Sequence, residues 1–347
     1  MTASGDDDSG NRDEAGMRTK RRHVMAGAVA VAAVVVSGCS PGPTTAALPA
    51  SAATATEQAA DTSVDRQGSA SPVSDPAGRV ASTARGSTTV YAVGDIGDCG
   101  GDPAATSRLI PRGATLLALG DLAYPNGSMA DFRNCYLPSY GKHRPATHPV
   151  PGNHEYYDYP ELAYFDVFGK RAGSREKPWY TLRRGAWTVY QLNSNCSFFP
   201  GDCGSKSRQY RWLRRHLADH PARCIAVSWH HPRWTASEHG PEEAMGPKNR
   251  LLSKRGADLL LSGHEHNYQR FPRLSPAGKP DPAGLRQIVV GTGGAGLYSR
   301  EPAAVEPTVF DSEHHGVLQL RLSEAGYSWK FLSADGAQVD SGSDTCG

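Results

Sequence analysis

A chain of 347 residues with 38% hydrophobic and 21% charged content carries enough apolar material for at least one sizeable core, which excludes a fibre and a wholly disordered protein. Its 37 Lys and Arg against 35 Asp and Glu give a formal charge of +2, with no basic excess and no nucleic-acid-binding patch. Function must therefore come from a local site.

An acidic, Gly-rich start, Met1 to Glu14, leads into "RTKRRH", the apolar run Val24 to Val36, and then "VSGCS". Basic, apolar and small residues in that order form an export signal over 1–39, with an apolar run too short to span a bilayer comfortably. The small residues before Cys39 resemble the end of a bacterial lipoprotein signal, in which Cys39 takes the lipid. An ordinary secretory cleavage nearby is the alternative. Arg21 and Arg22 also permit a twin-arginine route, and Met17 could be the true start. The expected location is the cell envelope, lipid-anchored on the outer face of the cytoplasmic membrane, or secretion. Residues 40–86 are Ala, Ser, Thr, Pro and Gly with almost no large apolar side chain, so they read as a disordered tether. The remaining 87–347 fits one large domain without internal repeats.

Within that domain, short apolar runs keep ending in polar residues. "TTVYAVGD" stops at Asp95, "ATLLALGD" at Asp121, "HPVPGNHE" reaches His154, "CIAVSWHH" stops at His231 and "ADLLLSGHEH" at His266. Continuous runs of this kind suit strands buried on both faces. "WYTLRRGAWTVYQL" and "HGVLQLRLSEAGYSWKFLSADG" alternate and carry Gly turns, so each predicts a hairpin. "SRQYRWLRRHLADH", Ser207 to His220, predicts a helix with Trp212, Leu213 and Leu217 toward the core. "GTGGAG" (Gly291 to Gly296) lacks the Gly-Lys-Ser/Thr ending of a P-loop and reads as a tight loop near the site. The fold class expected is α/β, with helices outside two sheets.

Beyond Cys39 the chain has Cys99, Cys135, Cys196, Cys203, Cys224 and Cys346. An even number in an exported chain favours disulfides. Cys196 and Cys203 flank a loop short enough to staple locally. Cys99 with Cys135 and Cys224 with Cys346 is one completion among the 15 connectivities that six cysteines allow.

Loops at one edge of an α/β sheet converge on a crevice, so Asp, Asn and His at five strand ends point to a shared site. Singly, each has a duller role, as a helix cap, a turn residue or a core histidine. Taken in order, "GDIG", "GDLAY", "GNHE", "HHP" and "GHEH" resemble the calcineurin-like metallophosphoesterases, and among them the purple acid phosphatases. Gly97 stands where most of that superfamily has a histidine, and Tyr124 follows the second aspartate by three residues, as in the purple branch.

That resemblance implies a four-layer sandwich of two mixed β-sheets flanked by helices. It implies two metal ions, with Fe(III) on Asp95, Asp121, Tyr124 and His266 and a divalent ion (Zn, Fe or Mn) on Asp121, Asn153, His230 and His264. Asp121 would bridge them. His154 would assist the leaving group while a metal-bound hydroxide attacks a phosphate monoester, and His239 would contact substrate. If His264 and His266 leave an extended strand, i and i+2 share a face and Glu265 turns elsewhere. On the same extended premise His231 points away from the metals. Asp98, His314 and His315 are further rim candidates. A phosphodiesterase or nucleotidase on the same scaffold is the near alternative, and a non-catalytic surface binding protein is the alternative of another class. The segment before the domain is too short for the β-sandwich that precedes the catalytic part in large plant members, so one catalytic domain is expected.

Overall fold

The apolar runs become strands of two sheets. The computed structural model describes residues 86–160, 162–196, 198 and 203–347, so the export signal and all of the tether but Gly86 lie outside the described residues.

Strands β1 (Thr88–Val93), β2 (Thr115–Ala118) and β3 (Thr147–Pro149) run parallel side by side, with Tyr91 opposite Leu116 and Leu117 opposite His148. A second sheet follows. Its first hairpin, β4 (Tyr180–Arg184) and β5 (Trp187–Gln191), turns at Gly185, where φ is 60°. β6 (Cys224–Ser228), β7 (Leu259–Ser262) and β9 (Leu285–Val290) continue parallel to β5. β8 (Tyr268–Leu274) and β10 (Val309–Asp311) close the far edge antiparallel, giving the order β10-β8-β9-β7-β6-β5-β4. The chain then returns to the first sheet through β11 (Gly316–Leu322), β12 (Gly326–Ser333) and β13 (Ser341–Thr345), in the order β13-β12-β11-β1-β2-β3. Both sheets are mixed. Each predicted hairpin forms and extends a sheet at its edge.

Alternation assigns the faces of the second sheet. Val189, Ala226, Leu259, Leu261 and Ile288 join Val90, Leu117 and Leu320 of the first sheet in one core. Their sequence neighbours Tyr190, Ile225, Val227 and Leu260 pack instead against helices outside. Apolar contacts on both faces explain why these strands read as unbroken apolar runs.

Helices α1 (Pro103–Arg108), α2 (His154–Tyr157), α3 (Ala163–Phe168), α4 (Arg208–Asp219) and α5 (Gly246–Lys254) fill the connections. α4 is the helix expected from "SRQYRWLRRHLADH", capped where Ser207 Oγ accepts from the Tyr210 amide at 3.0 Å. Its Leu213 and Leu217 are buried, and Trp212 packs half-buried beside them. Disulfides join Cys99 to Cys135, Cys196 to Cys203 and Cys224 to Cys346, the completion considered above. The consequence for function lies at the carboxyl ends of β1, β2, β3, β5, β6, β7 and β9, whose loops meet along one edge.

Candidate metal centre

The loops that meet there are held in backbone conformations that most side chains avoid. Among the described residues the non-glycine positive φ values belong to Asp95 (58°), Asp121 (51°), His264 (72°) and Leu162 (49°), so three of the four are proposed ligands. The loops also lock onto one another. The Asp95 amide donates to Gly120 O at 3.0 Å, the Ile96 amide to Asp121 O at 2.9 Å, and the His264 amide to Asp95 Oδ2 at 2.8 Å. Glu155, buried, receives the amides of Asp121 (2.9 Å), Leu122 (2.7 Å) and Gly152 (2.7 Å), which ties "GNHE" to "GDLAY". A Cβ at Gly152 would fall on Asp121 Oδ1, and one at Gly97 would fall on Leu122 O. Gly97 thus leaves no room for a histidine, and its carbonyl instead accepts the Tyr124 amide at 2.9 Å.

Four donors gather on one side. Tyr124 Oη lies 3.1 Å from Asp95 Oδ1, 3.0 Å from His266 Nε2 and 3.3 Å from Asp121 Oδ2, and His266 Nε2 lies 3.4 Å from Asp95 Oδ1. Ligands held about 2.1 Å from one ion stand about 3 Å apart at right angles, so this set fits a cation. On the other side His230 Nε2 lies 3.1 Å from Asn153 Oδ1 and 3.2 Å from Asp121 Oδ2, with the His264 ring 5.0 Å from that of His230. One carboxylate oxygen, Asp121 Oδ2, touches both sets. All seven candidate ligands therefore stand together, divided four and four about Asp121.

Residues 88–268, just over half of the chain, match the calcineurin-like phosphoesterase family. The chain belongs to that family. Purple acid phosphatase 15 of Arabidopsis thaliana is 27% identical over 255 residues, covering 62% of this chain and 46% of the relative. Purple acid phosphatase 18 of the same plant is 28% identical over 268 residues, covering 70% and 59%. The chain spans about half the length of the curated relatives it matches. By structure, a purple acid phosphatase from yellow lupin (Lupinus luteus) seeds superposes with a TM-score of 0.56 at 20% identity, over 75% of this chain and 54% of that one. GAP50, the anchor in the inner membrane complex of Plasmodium, gives 0.60 at 15% identity, over 76% and 90%. Both likenesses show the metallophosphoesterase fold, two mixed sheets with flanking helices, and no more.

The electrostatics of this site are those of crowded, buried polar groups. Burial alone would raise the Asp121 carboxyl, but His230, His154 and His264 override it and hold it well below the usual range. His230 loses basicity to burial and regains more from Asp121, which lifts it to about 9. Burial, then Asp95 and Asp121, push the Tyr124 phenol well above 10. Glu155 rises to about 7 through burial and the Asp121 charge, its amide bonds opposing.

Two expectations about direction need correction. The "GHEH" backbone is not extended: the Glu265 amide bonds back to Gly263 O and the Asn267 amide to Glu265 O, with His264 left-handed. Turns, not strand alternation, send His264 toward His230 and His266 toward Tyr124. His231 does not point away. β6 ends at Ser228 and the chain bends at His230 and His231, so the His231 ring lies 4.9 Å from that of His230 and 4.4 Å from that of His264.

His154, expected to act on substrate, stands over Asp121 with Nε2 at 3.8 Å from Oδ2, and its Nδ1 meets Pro125 O at 2.5 Å. His239 lies at the mouth, 40% exposed, with its ring 4.4 Å from that of His264. Buried Glu265 Oε2 lies 3.3 Å from its Nδ1, a contact that raises the imidazole pKa. The Gly-rich loop sits against the site as expected, with Gly296 O 2.7 Å from His266 Nδ1, which aims Nε2 inward. Tyr298, which no motif singled out, stacks on His266 at 4.0 Å and 11°. His314 pairs instead with Asp311 at 2.8 Å, and Asp98 accepts the Gly100 amide.

Proposed function

We propose that this chain is an exported dinuclear-metal phosphohydrolase of the acid phosphatase type, cleaving phosphate monoesters in a catalytic domain spanning 87–347. Fe(III) would be held by Asp95, Asp121, Tyr124 and His266, and a divalent ion (Zn, Fe or Mn) by Asp121, Asn153, His230 and His264. The observation that carries this reading is Asp121 Oδ2, within 3.3 Å of Tyr124 Oη and 3.2 Å of His230 Nε2 at once. Bound ions would activate water and neutralise phosphoryl charge.

The protein's own groups do the rest. With both ions bound, two aspartates and a phenolate would bring three negative charges against five from the ions, so the site would draw in a phosphate anion. When His154 is protonated, its Nδ1–H donates to Pro125 O and its Nε2–H faces the pocket, placed to hand a proton to the leaving alcohol. His239, kept cationic in acid by Glu265, donates to a phosphoryl oxygen from the opposite rim.

Export is supported by three disulfides, which suit an oxidising compartment, and by the signal-like start. A lipid at Cys39 would attach the protein to the membrane. Kinetics on a phosphomonoester, a phosphodiester and a nucleotide, with metal analysis of the same sample, test the proposal. The monoester should be preferred, and His154→Ala should lose about 10²-fold or more in turnover while keeping both ions. Diester preference would make the chain a diesterase on this scaffold. Two bound ions without turnover would make it a binding protein of the same fold.

A further inference from the structure

We infer that His231 supplies a third imidazole to the second ion, making that site His230, His231, His264, Asn153 and Asp121, and that this set favours zinc over manganese. The inference rests on the dinuclear reading and adds a ligand to it. Three observations carry it.

One imidazole nitrogen from each of His230, His231 and His264 lies within 4.8 Å of the others, a cluster that shares His230 with the Asp95, Asp121 and His230 grouping. The three rings also pack against one another: centroid separations are 4.9, 5.0 and 4.4 Å, with interplanar angles of 83°, 69° and 54°. With a zinc–nitrogen bond near 2.1 Å, a ring centroid sits about 3.2 Å from the ion, so two imidazoles at a right angle stand about 4.5 Å apart. The observed separations, 4.4 to 5.0 Å, bracket that spacing.

Ser194 fixes the tautomer this role requires. Its buried Oγ accepts the His231 amide at 3.0 Å and lies 2.8 Å from His231 Nδ1. With Nδ1–H donated to that oxygen, the lone pair is on Nε2, which has no hydrogen-bond partner among the described residues. A ligating histidine is held in this way, with one nitrogen anchored and the other presented. Replacing an oxygen donor or a water by a third imidazole moves the preference along the series from manganese toward zinc.

X-ray absorption at the zinc edge of the full chain loaded with iron and zinc should count three imidazoles, and a count of two overturns the inference. Chelator competition provides a second arm. His231→Ala should hold zinc about 100-fold or more weakly and Ser194→Ala about tenfold, each keeping the visible band of the iron site as evidence of an intact fold. Wild-type zinc affinity in His231→Ala, with that band present, overturns it. Should the wild-type chain take up fewer than two ions, the dinuclear reading fails first, an outcome the metal count separates from loss of His231 alone.

Discussion

Tyr124 cannot ionise by itself at acidic or neutral pH: burial and the charges of Asp95 and Asp121 all favour the neutral phenol. Only a strongly polarising cation within bonding distance reverses that preference, and ferric iron does so better than magnesium or calcium. The loaded protein should therefore be purple or pink through charge transfer from tyrosinate to iron. Tyr124→Phe, loaded in the same way, should be colourless in the visible spectrum. Glu155 acts on the site loops through their backbone amides. Glu155→Ala would leave the amides of Asp121, Leu122 and Gly152 without their acceptor, and should cost about 3 kcal/mol in denaturant unfolding. Its position inside "GNHE" was legible, but its partners were not, because two of them lie more than thirty residues upstream. Tyr298 left no signal in the sequence either, since a lone aromatic after a Gly-rich loop says nothing about what it stacks on. The direction of His231 was not legible, because an apolar run shows where a strand is, not where its last peptide bends.

Between elements, the edges of the two sheets are joined at β3 and β4. Arg184 donates to His148 Nε2 and, at 3.2 Å, to Thr115 Oγ1 of β2, while Gln191 Nε2 reaches His148 O at 2.9 Å. Burial, then the Arg184 charge, lowers His148 from 6.5 to about 4. The folded protein therefore binds fewer protons than the unfolded one between those values. Stability from this contact is full above about pH 6.5 and is lost as pH falls through about 4. Unfolding titrations should show a loss on the order of 1–2 kcal/mol across that window, screened by partial exposure and absent in His148→Gln. Strands with unbroken apolar runs, both hairpins and the Ser207-capped α4 could all be read beforehand. β8 could not, because "YQRFPRL" carries Pro272 in its middle. That proline is accommodated where the register shifts between Arg270 and Arg273, beyond the stretch that β10 pairs.

Across the whole molecule, Cys224–Cys346 fastens the end of the chain, just past β13 of the first sheet, to β6 of the second. Its sequence separation of 122 closes a long loop, which in the chain-entropy view is worth about 5 kcal/mol. Cys346→Ser should lower the melting temperature by several degrees, and reductant should do the same to the wild type but add little to the variant's loss at that bond. Cysteine parity announced disulfides, whereas the two long-range pairings depend on how the sheets pack and were only one of several options. The converging strand ends were legible because caps and turns alone rarely place five polar closures in order at the ends of apolar runs. The central claim is that seven side chains hold two cations that act together on a phosphate ester. Following phosphomonoester turnover while the metal-free chain takes up iron and then zinc tests it most directly. Activity should be absent without metal, stay low with one equivalent and rise with the second; full turnover without metal, or none with two ions bound, would contradict it.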